Sequence, residues 1–70
     1  MTAIFLHCDA GELAPSEWMR CKGKVIVSCP HCGYEYPLAH KVGHGGIVTP
    51  SLQCPCAGCS FHDFAILEGW

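Results

Sequence analysis

Charge is scarce in this chain. Four basic and six acidic residues stand among 70, or 14% charged, where a typical soluble domain has roughly a quarter. The formal net charge is −2 with histidines neutral, which argues against an all-over basic nucleic-acid binder. Long apolar runs are also missing. No stretch approaches the roughly 18 residues of a membrane span, and the opening MTAIFLHCD has neither the basic lead nor the apolar length of a secretory signal. The expectation is a cytoplasmic protein with no membrane partner. No amphipathic helix of useful length appears, and no repeat beyond two cysteine loops. Catalytic groupings are absent too. No serine or cysteine has an evident base and orienting acid, the carboxylates are few and scattered, and so short a chain has little room for a substrate pocket. A non-enzyme is expected.

A deep hydrophobic core is the last thing lacking. The apolar share is 50%, but that figure includes seven cysteines. A single small domain of this size needs a staple, and sulfur is the available one. Seven is odd, so a disulfide framework would leave a thiol over. In a reducing compartment, clustered cysteines hold metal more often than they form disulfides. Metal is the expected staple.

What the sequence does contain is strand, loop, strand, twice over. KVIVS, residues 24–28, is rich in β-branched residues and runs directly into Cys29. YEYPLA after CPHCG reads as its return strand, with Tyr34 and Tyr36 on one face. HKVGHGG is a glycine-rich tip. IVTPSLQ is a second ascending strand, broken at Pro50 in a way that suits an edge or a bulge. SFHDFAILEGW returns after CPCAGC. Ahead of these, residues 3–8 read as a short strand or extended arm, and Ser16 as the cap of a single helical turn over 17–19.

The cysteine loops carry the chemistry. In CPHCG the two-residue gap lets Cys29 and Cys32 face one ion, while N–H groups in the turn donate to the sulfurs and Gly33 supplies a positive φ. A second CxxC follows after 23 residues, at Cys56 and Cys59. Two such loops satisfy tetrahedral zinc. Over residues 24–67 this pattern resembles the zinc ribbons, small three-stranded domains with two knuckles. The resemblance implies a metal-stabilised β fold with a three-stranded antiparallel sheet, and Cys29, Cys32, Cys56 and Cys59 as zinc ligands. It divides the chain into an arm and loop, residues 1–23, and a ribbon, residues 24–70, within one domain. The arm is expected to pack across one face of the sheet.

Two features depart from that pattern. Ser60 stands where glycine is usual, and Cys54 adds a competing thiol. The spacing favours Cys56. Yet Pro55 follows Cys54 as Pro30 follows Cys29, which supports a C-x4-C loop from Cys54 to Cys59 with residues 56 and 57 inserted. Cys54 is therefore the alternative to Cys56. CGYEYP also resembles the first knuckle of rubredoxin, an iron electron carrier, over about six residues. VTPSLQC and CSFHDFAILEGW are similar to the ends of small phage and prophage zinc-ribbon proteins.

The histidines have plainer readings. His31 sits inside the knuckle and should face solvent. His62 suits a packing role or a hydrogen bond to a metal-bound sulfur. His40 and His44 are spaced for a helical metal pair, but the surrounding glycines point to a loop. A second metal would need His7, Cys8 and Cys21 to meet.

Three functional readings follow. The first is a zinc-stabilised protein-interaction module whose aromatic face and sheet edge contact a protein partner. Trp18, Trp70, Tyr34, Tyr36, Phe61 and Phe64 are more rings than so thin a fold can bury. The second is a nucleic-acid-binding zinc ribbon using Arg20, Lys22, Lys24 and Lys41. The third is a rubredoxin-like iron carrier. An exposed strand edge would also permit a homodimer.

Overall fold

The computed structural model describes residues 2–9 and 11–70. Seven strands form one sheet among the described residues: β1 Thr2–His7, β2 Glu17–Cys21, β3 Lys24–Ser28, β4 Glu35–Pro37, β5 Lys41–Val42, β6 Ile47–Gln53 and β7 His62–Leu67. Their order is β4-β3-β2-β1-β7-β6-β5. Among the described residues, no helix is long and apolar enough to cross a membrane.

The sheet is two antiparallel meanders joined by β1. One is β2-β3-β4, the other β7-β6-β5. β1 pairs in parallel with both: Thr2 to Phe5 lie beside Phe64 to Leu67 of β7, and Leu6 and His7 lie beside Glu17 and Trp18 of β2. This corrects the expected three-stranded antiparallel sheet. It also corrects the expected packing of the N-terminal arm across a face, because β1 is inside the sheet. The physical reason is that each meander alone would present an open edge of unpaired N–H and C=O groups. One six-residue strand closes both, with four residues paired to β7 and two to β2.

Strand parity decides the core. Successive side chains point to opposite faces, so Phe5 of β1 is buried while Ile4 and Leu6 are exposed. The ladder carries that choice across the sheet. Ala3, Ala65 and Val48 form one inward row, Phe5 and Leu67 a second, and Trp18, Val27 and Tyr36 a third. Trp18 is fully buried and its indole N–H donates to the Glu68 carbonyl at 2.8 Å, as a buried Trp requires. Trp70 lies 5.5 Å from that ring, and the Arg20 guanidinium lies 4.4 Å over Trp70.

Turns fix the rest. β5 and β6 are joined through a single 3₁₀ turn, His44–Gly46. Gly46 has φ +83, and a Cβ there would run into the Leu67 carbonyl, so only glycine fits. The β6–β7 register shifts between Val48 and Leu52, around Pro50, which has no N–H for the ladder. β5 pairs with β6 only at Val48 and Thr49, so Pro50 lies past the end of that pairing. Ser16 does not cap a helical turn. It has φ +66, and the chain enters β2 directly at Glu17. Its N–H donates to the Ser28 carbonyl and its own carbonyl accepts from Leu6, so tertiary pairing overrides the local capping signal.

Candidate metal centre

Each meander ends its central hairpin in a cysteine loop. β3 runs into Cys29 and returns as β4; β6 runs into Cys54 and returns as β7. The two loops close on matching backbone bonds. Cys29 N–H donates to the Tyr34 carbonyl at 3.0 Å, and Cys54 N–H donates to the Phe61 carbonyl at 3.1 Å. Cys29 and Cys54 are therefore equivalent, each the first residue past an ascending strand and each buried. Cys32 and Cys59 are equivalent as well, each two residues before the carbonyl that closes its loop.

This symmetry brings four sulfurs together. The Sγ atoms of Cys29, Cys32, Cys54 and Cys59 all lie within 4.8 Å of one another. Cys29 and Cys59 are 3.5 Å apart, Cys32 and Cys54 3.6 Å. Cys56 lies outside the group. The structure thus joins three of the thiols favoured by spacing with Cys54, the alternative. The reason lies in the backbone: Cys56 uses its carbonyl to accept the Cys59 N–H at 3.0 Å, closing the extra turn in the longer loop.

The cage has the dimensions of a tetrahedral metal site. With metal–sulfur bonds of about 2.3 Å, a regular tetrahedron has sulfur–sulfur edges of about 3.8 Å. The closest pairs need to open by only a few tenths of an ångström. Four thiolates fit zinc, and the same donor set also holds iron.

The four thiols are not electrostatically alike. Burial opposes a Cys29 thiolate, yet N–H donors from Cys32 and His31, with the Cys59 and Cys32 thiols, outweigh it and lower its pKa from 9.0 to about 7. The His31 N–H lies 3.3 Å from that sulfur. Cys54 moves the opposite way. Burial, joined by its bonds with the Cys32, Cys59 and Cys29 thiols, outweighs the Cys56 N–H and raises its pKa to about 12. The backbone donors thus favour the thiolate at Cys29, and burial favours the thiol at Cys54.

Tyr36 forms part of the surroundings that the sequence did not flag. Burial, followed by negative charge on Cys54, Cys29, Cys32 and Cys59, pushes its pKa up. Its hydroxyl oxygen is buried and has no hydrogen-bond partner among the described residues. The available signal was alternation, since Tyr34 and Tyr36 share a face and stack with centroids 6.0 Å apart.

The remaining candidates fall elsewhere. The His31 ring packs edge-on against Phe61 at 5.1 Å. His62 Nε2 lies 2.9 Å from the Ser51 hydroxyl. His7 pairs with Asp9 at 3.1 Å and packs on Trp18, Cys8 donates to the Glu12 carbonyl, and Cys21 is exposed. Among the described residues, the four-thiol cage is the one grouping of metal-ligating side chains. No family model matches the chain, and no curated protein and no solved structure matches it significantly. The phage zinc-ribbon resemblance thus has no matching relative behind it.

Proposed function

We propose that this chain is a zinc-stabilised module that docks on a protein partner. Cys29, Cys32, Cys54 and Cys59 are the proposed ligands, and the observation that carries the metal reading is their convergence within 4.8 Å from two separate hairpins. Four thiolates leave zinc no open position, so the role is structural and the reading is non-catalytic. Structural zinc of this kind is worth on the order of 10 kcal/mol of folding free energy.

The docking reading is supported by the face of the sheet opposite the core. Ile4, Ile66 and Ile47 lie side by side across β1, β7 and β6, with Thr2 beside Phe64 one step along. Phe64 is 61% exposed, Ile47 52%, Leu6 50% and Ile4 46%. An exposed apolar row of this kind on so small a domain supports reading this face as a docking surface. The nucleic-acid reading finds less support, because Arg20, one of its four cations, lies over the Trp70 and Trp18 rings.

The test combines metal analysis with binding. Protein purified without added metal should carry one zinc per chain; one iron, visible by colour, would favour an electron carrier. Zinc-loaded chain should retain its partner as salt rises, and Phe64→Ser should lose the partner while keeping its zinc. Retention of nucleic acid that vanishes with salt would replace this reading with the electrostatic one.

A further inference from the structure

Tyr36 carries the one enclosed side-chain oxygen or nitrogen that lacks a partner among the described residues. The residue is only 7% exposed. An unsatisfied buried hydroxyl is destabilising, and phenylalanine would fill the same space without that cost. Protein interiors satisfy nearly all such groups, so an orphan of this kind points to a partner that is not yet in place.

The surroundings say which partner. Tyr36 stands opposite Val27 in the β3–β4 ladder, two positions from Cys29 along β3. It belongs to the same core cluster as Cys29 and Cys54. The Tyr34 ring stacks on it, covering the phenol from outside. The nearby acceptors that gain charge on loading are the four sulfurs. Four thiolates around a divalent cation keep a net charge of about −2, and buried charge of that size needs hydrogen-bond donors aimed at it. The His31 N–H serves Cys29.

We propose that Tyr36 donates its hydroxyl to the sulfur of Cys54 when the metal is bound, which makes it a positioning residue of the centre. This rests on the four-thiolate reading above. Tyr36 lines a small cavity together with Leu52, Gln53 and Pro55, the residues on either side of Cys54.

The experiment compares wild-type, Tyr36→Phe and Tyr34→Phe full-length chains. Zinc affinity is measured by chelator competition, and cobalt-loaded protein gives the sulfur-to-metal charge-transfer band. Tyr36→Phe should bind zinc about 10–100-fold more weakly. Its cobalt band should move to lower energy, because a sulfur without its donor gives up charge more easily. Tyr34→Phe should change neither. An unmoved band with affinity within twofold of wild type overturns the proposal. Should Tyr36→Phe fail to fold, NMR of the cadmium-loaded wild-type chain decides. A slowly exchanging tyrosine hydroxyl proton correlated to the metal supports the bond, and its absence removes it. Wild-type chain that binds no metal would bring down the underlying reading, and that is seen before any variant is made.

Discussion

The loop from Cys29 to Tyr34 and the loop from Cys54 to Phe61 do the same work with different lengths. Each is closed by the N–H of its first cysteine and the carbonyl of an aromatic residue. The first spans that bond with four intervening residues, the second with six. In the short loop the second turn bond runs from the Gly33 N–H to the Cys29 carbonyl; in the long one it runs from the Cys59 N–H to the Cys56 carbonyl. The two extra residues, Cys56 and Ala57, bulge into that turn. A thiol faces the cage when it sits at a fixed place relative to the strand ends. Its distance in sequence from the next thiol does not decide it. The C-x-x-C spacing of Cys56 and Cys59 is then a property of the turn.

The strongest way to break this comparison is to remove each competing thiol in turn. Cys54→Ser should lower zinc affinity by about 100-fold or more and leave the chain largely unfolded at limiting zinc, because a structural site is lost with its ligand. Cys56→Ser should keep one zinc per chain, with affinity within about threefold of wild type. Chelator competition and far-UV circular dichroism measure both. The reverse ranking would make Cys56 the ligand.

A smaller effect separates the residues that follow the second cysteines. Gly33 has φ +73, while Ser16 and Lys22 are the only non-glycine residues with positive φ among those described, so Ser60 is not strained. The short loop needs the left-handed backbone to turn back into β4, and the longer loop does not. Gly33→Ala should destabilise the zinc-loaded chain by about 1–2 kcal/mol, read from the urea midpoint, and Ser60→Ala by less than about 0.5 kcal/mol. The added Cβ at Gly33 would meet only the Pro15 Cγ, at an ordinary 3.6 Å, so any loss belongs to the backbone.

How far the sequence revealed all this depends on how local each feature is. β3, β6 and β7 were legible because their alternation and β-branched content are local, and Pro50 marked the register shift for the same reason. That cysteines of the two loops would cluster was legible from the two Cys-x-x-C pairs, and the cluster is there. The centre of the sheet was not. β1 and β2 pair in parallel, and the Leu6–Glu17 and Ala3–Ala65 partners leave no short-range pattern to read. Ser16 looked like a cap because capping is judged from three or four neighbours, while its conformation is set by bonds to Leu6 and Ser28. The choice between Cys54 and Cys56 sits between these cases. The repeated Cys-Pro pair pointed to Cys54, the spacing pointed to Cys56, and the deciding bond to the Phe61 carbonyl is visible only once β6 and β7 are aligned.

The smallest expected effect is the sharpest test of the equivalence. Deleting Cys56 and Ala57 turns CPCAGC into a four-residue CPGC, the same length as CPHC in the first loop. If the extra pair is only a bulge, Cys54 and Cys59 regain the spacing of Cys29 and Cys32. The bond from Cys54 to Phe61 then closes over four residues, as its counterpart does. The shortened chain should hold one zinc with affinity within about threefold of wild type. It should also become more sensitive at Ser60, since that residue would inherit the turn that Gly33 makes. Adding Ser60→Gly should then stabilise the shortened chain by about 1 kcal/mol, whereas the same change in the full-length loop should be neutral or slightly destabilising. Such a reversal of sign between the two backgrounds, measured by urea unfolding of the zinc-loaded forms, would tie the two loops to one geometry. A shortened chain that no longer holds zinc would mean that the long loop needs its bulge to reach the cage, and that the matching bonds from Cys29 to Tyr34 and from Cys54 to Phe61 do not make the two loops interchangeable.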